Sequence, residues 1–129
     1  MVSGCEAHGR LSDNWLDAGS KISPMNELEN IARDLGAALL ARGEWLTAAE
    51  SCTGGWLAQS VTAIAGSSGW FERGFVTYSN AAKVEMLGVP ETTIERHGAV
   101  SEATARAMAQ GALAHSRADW SVAITGVAG

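Results

Sequence analysis

The chain has 129 residues, 47% of them hydrophobic and 18% charged, and a formal net charge of −5. That length gives one domain with a core of its own, and that composition is ordinary for a soluble globular fold and excludes a disordered chain. The acidic balance, with no basic run, excludes a general nucleic-acid binder, and no stretch approaches the roughly 20 apolar residues of a membrane span.

Residues 1–22 are rich in Gly, Ser, Asp and Asn without a sustained period, and read as a disordered leader. The folded unit is expected over 23–129, and Met25 is a natural start for it. Ser23-Pro24 offers an N-cap followed by proline at a first helical position. Leu28, Ile31, Ala32, Leu35, Ala38 and Leu39 then make one apolar stripe on a helix ending near Gly43.

The short apolar run Trp45-Leu46-Thr47-Ala48-Ala49 predicts a buried strand. Glu50-Ser51-Cys52-Thr53-Gly54-Gly55 follows as a turn, and helical spacing resumes with Leu57, Val61, Ile64 and Ala65. After the loop Gly66-Ser67-Ser68-Gly69, the residues Phe75, Val76 and Tyr78 favour a second strand. Ser79 or Asn80 caps a short helix through Lys83 to Leu87, and Gly88-Val89-Pro90 breaks it. A further short helix is expected from Glu91 to Arg96. Ser101 opens an alanine-rich helix over Ala105, Met108, Ala109, Ala112 and Leu113, and Ser121-Val122-Ala123-Ile124-Thr125 reads as a buried strand. Strands separated by helices make the order of an α/β domain.

The Ser51 turn is the richest chemical feature. It sets a hydroxyl and a thiol beside backbone N–H groups at a helix start, where glycine admits close approach and the helix dipole favours an anion. The N–H groups of Thr53, Gly54 and Gly55 suit either an oxyanion or a phosphate. The turn matches neither the G-x-x-x-x-G-K-[ST] phosphate loop, since no lysine follows Gly55, nor the G-x-S-x-G nucleophile elbow. A well-capped structural turn is the plain alternative.

A serine nucleophile needs a base. His97 lies in a loop beside Gly98 and His115 falls near a helix end; both are open as bases. Lys83 is the other option, since a lysine in an apolar site loses basicity and can act as one. A solvated helix charge is its plain reading. Cys52 as nucleophile with His97 as base is a third arrangement, because thiolates need less activation. The two cysteines, Cys5 and Cys52, build no disulfide framework, which points to a reducing cytoplasm. His8, His97 and His115 lie far apart without ligand spacing, so no metal is expected.

Several separated motifs then agree in order. Glu50-Ser51-Cys52-Thr53-Gly54-Gly55, Gly66-Ser67-Ser68, Phe71 through Asn80, Lys83, His97-Gly98-Ala99-Val100-Ser101 and Ile124 through Gly129 together resemble the C-terminal domain family of the competence/damage-inducible protein CinA over about residues 26–129. The resemblance implies a three-layer α/β/α sandwich with a mixed central sheet, acting as a homodimer. It implies an amidohydrolase that converts nicotinamide mononucleotide and water to nicotinic acid mononucleotide and ammonia, without metal or redox cofactor. On the matching positions it makes Ser51 the nucleophile, Lys83 its general base and Tyr78 a neighbour that positions or relays the proton. It also places Thr53, Gly54, Gly55, Asn80 and Gly126 around the substrate. Family members continue past the Ile124–Gly129 motif with a strand pair and a helix, so the domain is expected to be incomplete at its C-terminus. A non-catalytic remnant, serving as a nucleotide-binding or association module, is the alternative.

Overall fold

The computed structural model describes residues 2–7, 10–11 and 24–127. The elements of the folded unit follow the expected order. Helix α1 (Pro24–Arg42) begins on the proline, whose missing N–H is no loss in a first turn. It ends where Gly43 turns left-handed at φ +65° and lets Glu44 N–H reach the Leu39 carbonyl at 3.0 Å. Strand β3 (Leu46–Glu50) is buried at all five positions, as a central strand covered on both faces must be. Helix α2 (Trp56–Thr62), strand β4 (Phe71–Val76), helices α3 (Asn80–Leu87), α4 (Glu91–His97) and α5 (Glu102–Ala114), and strand β5 (Trp120–Thr125) complete it.

The sheet is mixed. Strands β5, β3 and β4 run parallel with β3 in the middle, and β1 (Val2–Ala7) lies antiparallel on the far side of β5, followed by β2 (Arg10–Leu11). This differs from the leader expected over 1–22. The outer edge of β5 carries backbone donors and acceptors that an antiparallel strand satisfies from Val2↔Thr125 to Glu6↔Ser121, and that pairing outweighs a weak local pattern. The rest of the expected leader lies outside the described residues.

Two apolar layers follow from the period of two along each strand. On one face, Ala32 and Leu39 of α1 and Val61 of α2 meet Leu46, Trp70 and the partly buried Trp120 and Val122. On the other, Met108, Ala109 and Ala112 of α5 and Leu87 of α3 cover Ala49 and Ala123. The small residues bring α5 close: a Cβ on Gly111 would lie 2.0 Å from the Leu87 carbonyl oxygen, so α3 and α5 touch through backbone. The parallel strands β5, β3 and β4 end together at one edge of the sheet, with Ile124, Glu50 and Val76 in register. In open α/β sheets that edge is where ligands bind.

Candidate active site

Ser51 is the first residue beyond β3 at this edge. Its N–H donates to the Ile124 carbonyl of β5 at 2.9 Å, so the nucleophile candidate is pinned to the sheet. Lys83 reaches it from α3. Ser79 caps that helix, its Oγ accepting from Ala82 N–H at 3.0 Å, and Gly88 closes it in the left-handed region. One turn in from the cap, the Lys83 side chain turns inward instead of toward water and is 1% exposed. Its Nζ lies 3.0 Å from Ser51 Oγ, 3.1 Å from the Thr77 carbonyl and 3.2 Å from the Tyr78 carbonyl, with the Ser79 carbonyl at 3.5 Å.

This geometry serves both protonation states. A charged ammonium has three N–H groups, which Ser51 Oγ and the Thr77 and Tyr78 carbonyls accept. A neutral amine keeps two N–H groups on the carbonyls and turns its lone pair to the Ser51 hydroxyl. The hydroxyl has an alternative acceptor in the Tyr78 carbonyl at 3.4 Å. Burial pushes the Lys83 ammonium below its ordinary value of 10.5, since a charge in a dry site loses its hydration; the charged form of the neighbouring Cys52 opposes this more weakly.

The structure thus brings Ser51 and Lys83 together, and joins Tyr78 to them through its backbone. The Tyr78 side chain is 64% exposed and its phenol bonds to no described residue. Gly126 follows Thr125, beside the Ile124 carbonyl that anchors Ser51. Asn80 is exposed at the start of α3. Within the turn, Gly54 N–H donates to the Ser51 carbonyl at 3.1 Å and is spent there. The N–H groups of Cys52, Thr53 and Gly55 donate to no described residue. His97 is exposed at the end of α4, and His115 Nδ1 contacts the Gly111 carbonyl of its own helix at 2.8 Å. Among the described residues, no group of three or more His, Cys, Asp or Glu is placed to hold a metal ion.

Glu50 was missed by the sequence reading. It is 1% exposed, and its carboxylate accepts from Thr53 Oγ1 at 2.7 Å, Leu57 N–H at 2.8 Å and Ala58 N–H at 3.0 Å. The signal was a carboxylate ending an otherwise uncharged strand just before a helix start, where N–H groups lack partners.

A family model described as the CinA C-terminal domain matches residues 28–129. The chain belongs to this family. Over 104 residues it is 59% identical to the nicotinamide-nucleotide amidohydrolase PncC of Escherichia coli (strain K12), covering 81% of this chain and 63% of that protein. It is 49% identical over 105 residues to the protein of the same name from Pseudomonas putida, covering 81% of this chain and 66% of that one. Among solved structures, the competence/damage inducible protein CihA from Agrobacterium tumefaciens superposes with a TM-score of 0.78 at 48% identity, covering 86% of this chain and 66% of that one. This CinA C-terminal domain therefore spans between 63% and 66% of the length of these relatives. No helix among its described residues is long and apolar enough to cross a membrane.

Proposed function

We propose that this CinA-family chain is an amidohydrolase of nicotinamide mononucleotide, with Ser51 as nucleophile and Lys83 as general base. The observation that carries the reading is the 3.0 Å contact between Lys83 Nζ and Ser51 Oγ inside a buried site. The names of the PncC relatives support the substrate.

In the first half-reaction, Ser51 Oγ attacks the carboxamide carbon while its proton passes to Lys83 Nζ. The C–N bond then breaks, and ammonia leaves with the proton that Lys83 returns. In the second half-reaction, water attacks the acyl-serine, giving its proton to Lys83. The C–Oγ bond breaks, Ser51 regains a proton, and nicotinic acid mononucleotide departs. The unpartnered N–H groups of Cys52 and Thr53 are the donors offered to the oxyanion, as they follow the nucleophile directly. Tyr78 acts through its carbonyl, which holds one Lys83 N–H while the lone pair faces Ser51.

The reading includes a homodimer, supported by the exposed Trp56, Val76 and Tyr78 beside the outer edge of β4, which no strand among the described residues pairs. The substrate class implies a cytoplasmic setting. Ammonia release from nicotinamide mononucleotide by the wild type, Ser51→Ala and Lys83→Ala tests the proposal. Activity in the wild type alone supports it. A folded but inactive wild type favours a nucleotide-binding or association module, and an active Ser51→Ala removes the serine assignment.

A further inference from the structure

The start of α2 already holds an anion, and that anion belongs to the protein. Glu50 ends β3 on the sheet face that α2 covers, while Lys83 approaches Ser51 from the α3 side. The two therefore grip the Ser51 turn from opposite faces of the sheet. One Glu50 oxygen accepts from Thr53 Oγ1 within the turn and from Leu57 N–H beyond it. The other accepts from Ala58 N–H. The backbone of Glu50 is fixed as well, its carbonyl accepting from Thr77 N–H at 2.8 Å. A single buried side chain thus ties together the residue before Ser51, the turn after it and the helix that follows. It also takes up the Leu57 and Ala58 N–H groups at the helix start, while those of Cys52, Thr53 and Gly55 have no partner among the described residues.

We propose that Glu50 is a positioning residue, an internal anion at the start of α2 that holds the Ser51–Gly55 turn in its reactive shape and reserves that turn for the oxyanion. The inference rests on the amidohydrolase reading. Glu50 does not touch the reacting atoms. Its effect falls on the transition state, where the turn's free N–H groups meet developing charge, rather than on binding of the ground-state substrate.

Glu50→Gln tests this with little change of shape. The amide oxygen can keep Thr53 Oγ1 and Leu57 N–H, but its NH2 then faces the N–H of Ala58. The expected result, in protein shown folded by circular dichroism, is a fall in kcat of about 10- to 100-fold with KM within about twofold. Thr53→Val removes one of the three contacts without altering the carboxylate, and a smaller loss of a few-fold in kcat is expected. A second readout is independent of the substrate: the rate at which a fluorophosphonate labels Ser51, followed by intact mass, falls in parallel with kcat. Glu50→Gln with wild-type kcat and wild-type labelling, whatever its melting temperature, overturns the proposal and leaves the amidohydrolase reading standing. A rise in KM with kcat unchanged also overturns it. A folded wild type that neither releases ammonia nor takes the label overturns the amidohydrolase reading, and this inference with it.

Discussion

Ser51 Oγ and Lys83 Nζ meet at 3.0 Å although 32 residues separate them in the chain. The contact depends on three parallel strands ending at one edge and on a capped helix that turns a lysine inward.

In the proposed mechanism, catalysis through this pair requires neutral Lys83, so activity is expected to rise with pH through the Lys83 titration. Burial lowers that titration below 10.5, and the charged form of Cys52 opposes the shift. Cys52→Ser removes the opposing influence and is expected to move the acidic limb of the kcat profile to lower pH while keeping activity. The same variant tests the Cys52–His97 arrangement, which predicts loss of activity.

Stability follows the same titration. Between the lowered value and 10.5, the unfolded chain holds more protons on Lys83 than the folded one does. Stability therefore rises with pH across that interval, and below it the penalty for burying the ammonium is fully present. Lys83→Met, of similar length and without charge, is expected to abolish this portion of the pH dependence. Its melting temperature near neutral pH should equal or exceed that of the wild type, while kcat falls by about 10²- to 10⁴-fold.

Gly111→Ala drives a methyl group into the Leu87 backbone. Overpacking of this kind costs about 1–3 kcal/mol, and backbone on both sides leaves little room to relax. Because α3 carries Lys83, kcat is expected to fall along with stability. Gly54→Ala is the contrast. It has φ +60° and open space around its Cβ position, so only the left-handed penalty of about 1–2 kcal/mol applies. Urea titrations of both variants, with kinetics, check the ordering.

Thr77, just past the end of β4, is buried, and its Oγ1 has no hydrogen-bond partner among the described residues. An unsatisfied buried hydroxyl costs about 1–3 kcal/mol. Thr77→Val keeps the shape and is expected to leave stability unchanged or raise it by about 1 kcal/mol in chemical denaturation. The Thr77 carbonyl, which serves Lys83, is untouched, so kcat should stay within a few-fold.

The elements were legible because their signals are local. The stripe from Leu28 to Leu39, the apolar run to Ala49 and the Ser79 and Ser101 caps each fall where the structure has an element or its boundary. Ser51 and Lys83 were legible as chemistry, and the family resemblance joined them. What the sequence withheld was long-range. The pairing of Val2–Ala7 with β5 depends on an edge left open elsewhere in the chain. Tyr78 drew notice for its phenol, but the atom at the site is its carbonyl, which any residue type supplies. Glu50 looked like part of a turn motif, and only its burial against the α2 start shows what it holds in place.

The central claim is covalent: Ser51 carries the acyl group between the release of ammonia and the attack of water. Rapid acid quenching during turnover of nicotinamide mononucleotide, followed by peptide mass spectrometry, tests it most directly. The account predicts a nicotinate mononucleotide acyl adduct on Ser51 in the wild type, and neither adduct nor turnover in Ser51→Ala. An adduct mapped to Cys52, or wild-type turnover by Ser51→Ala, would contradict it.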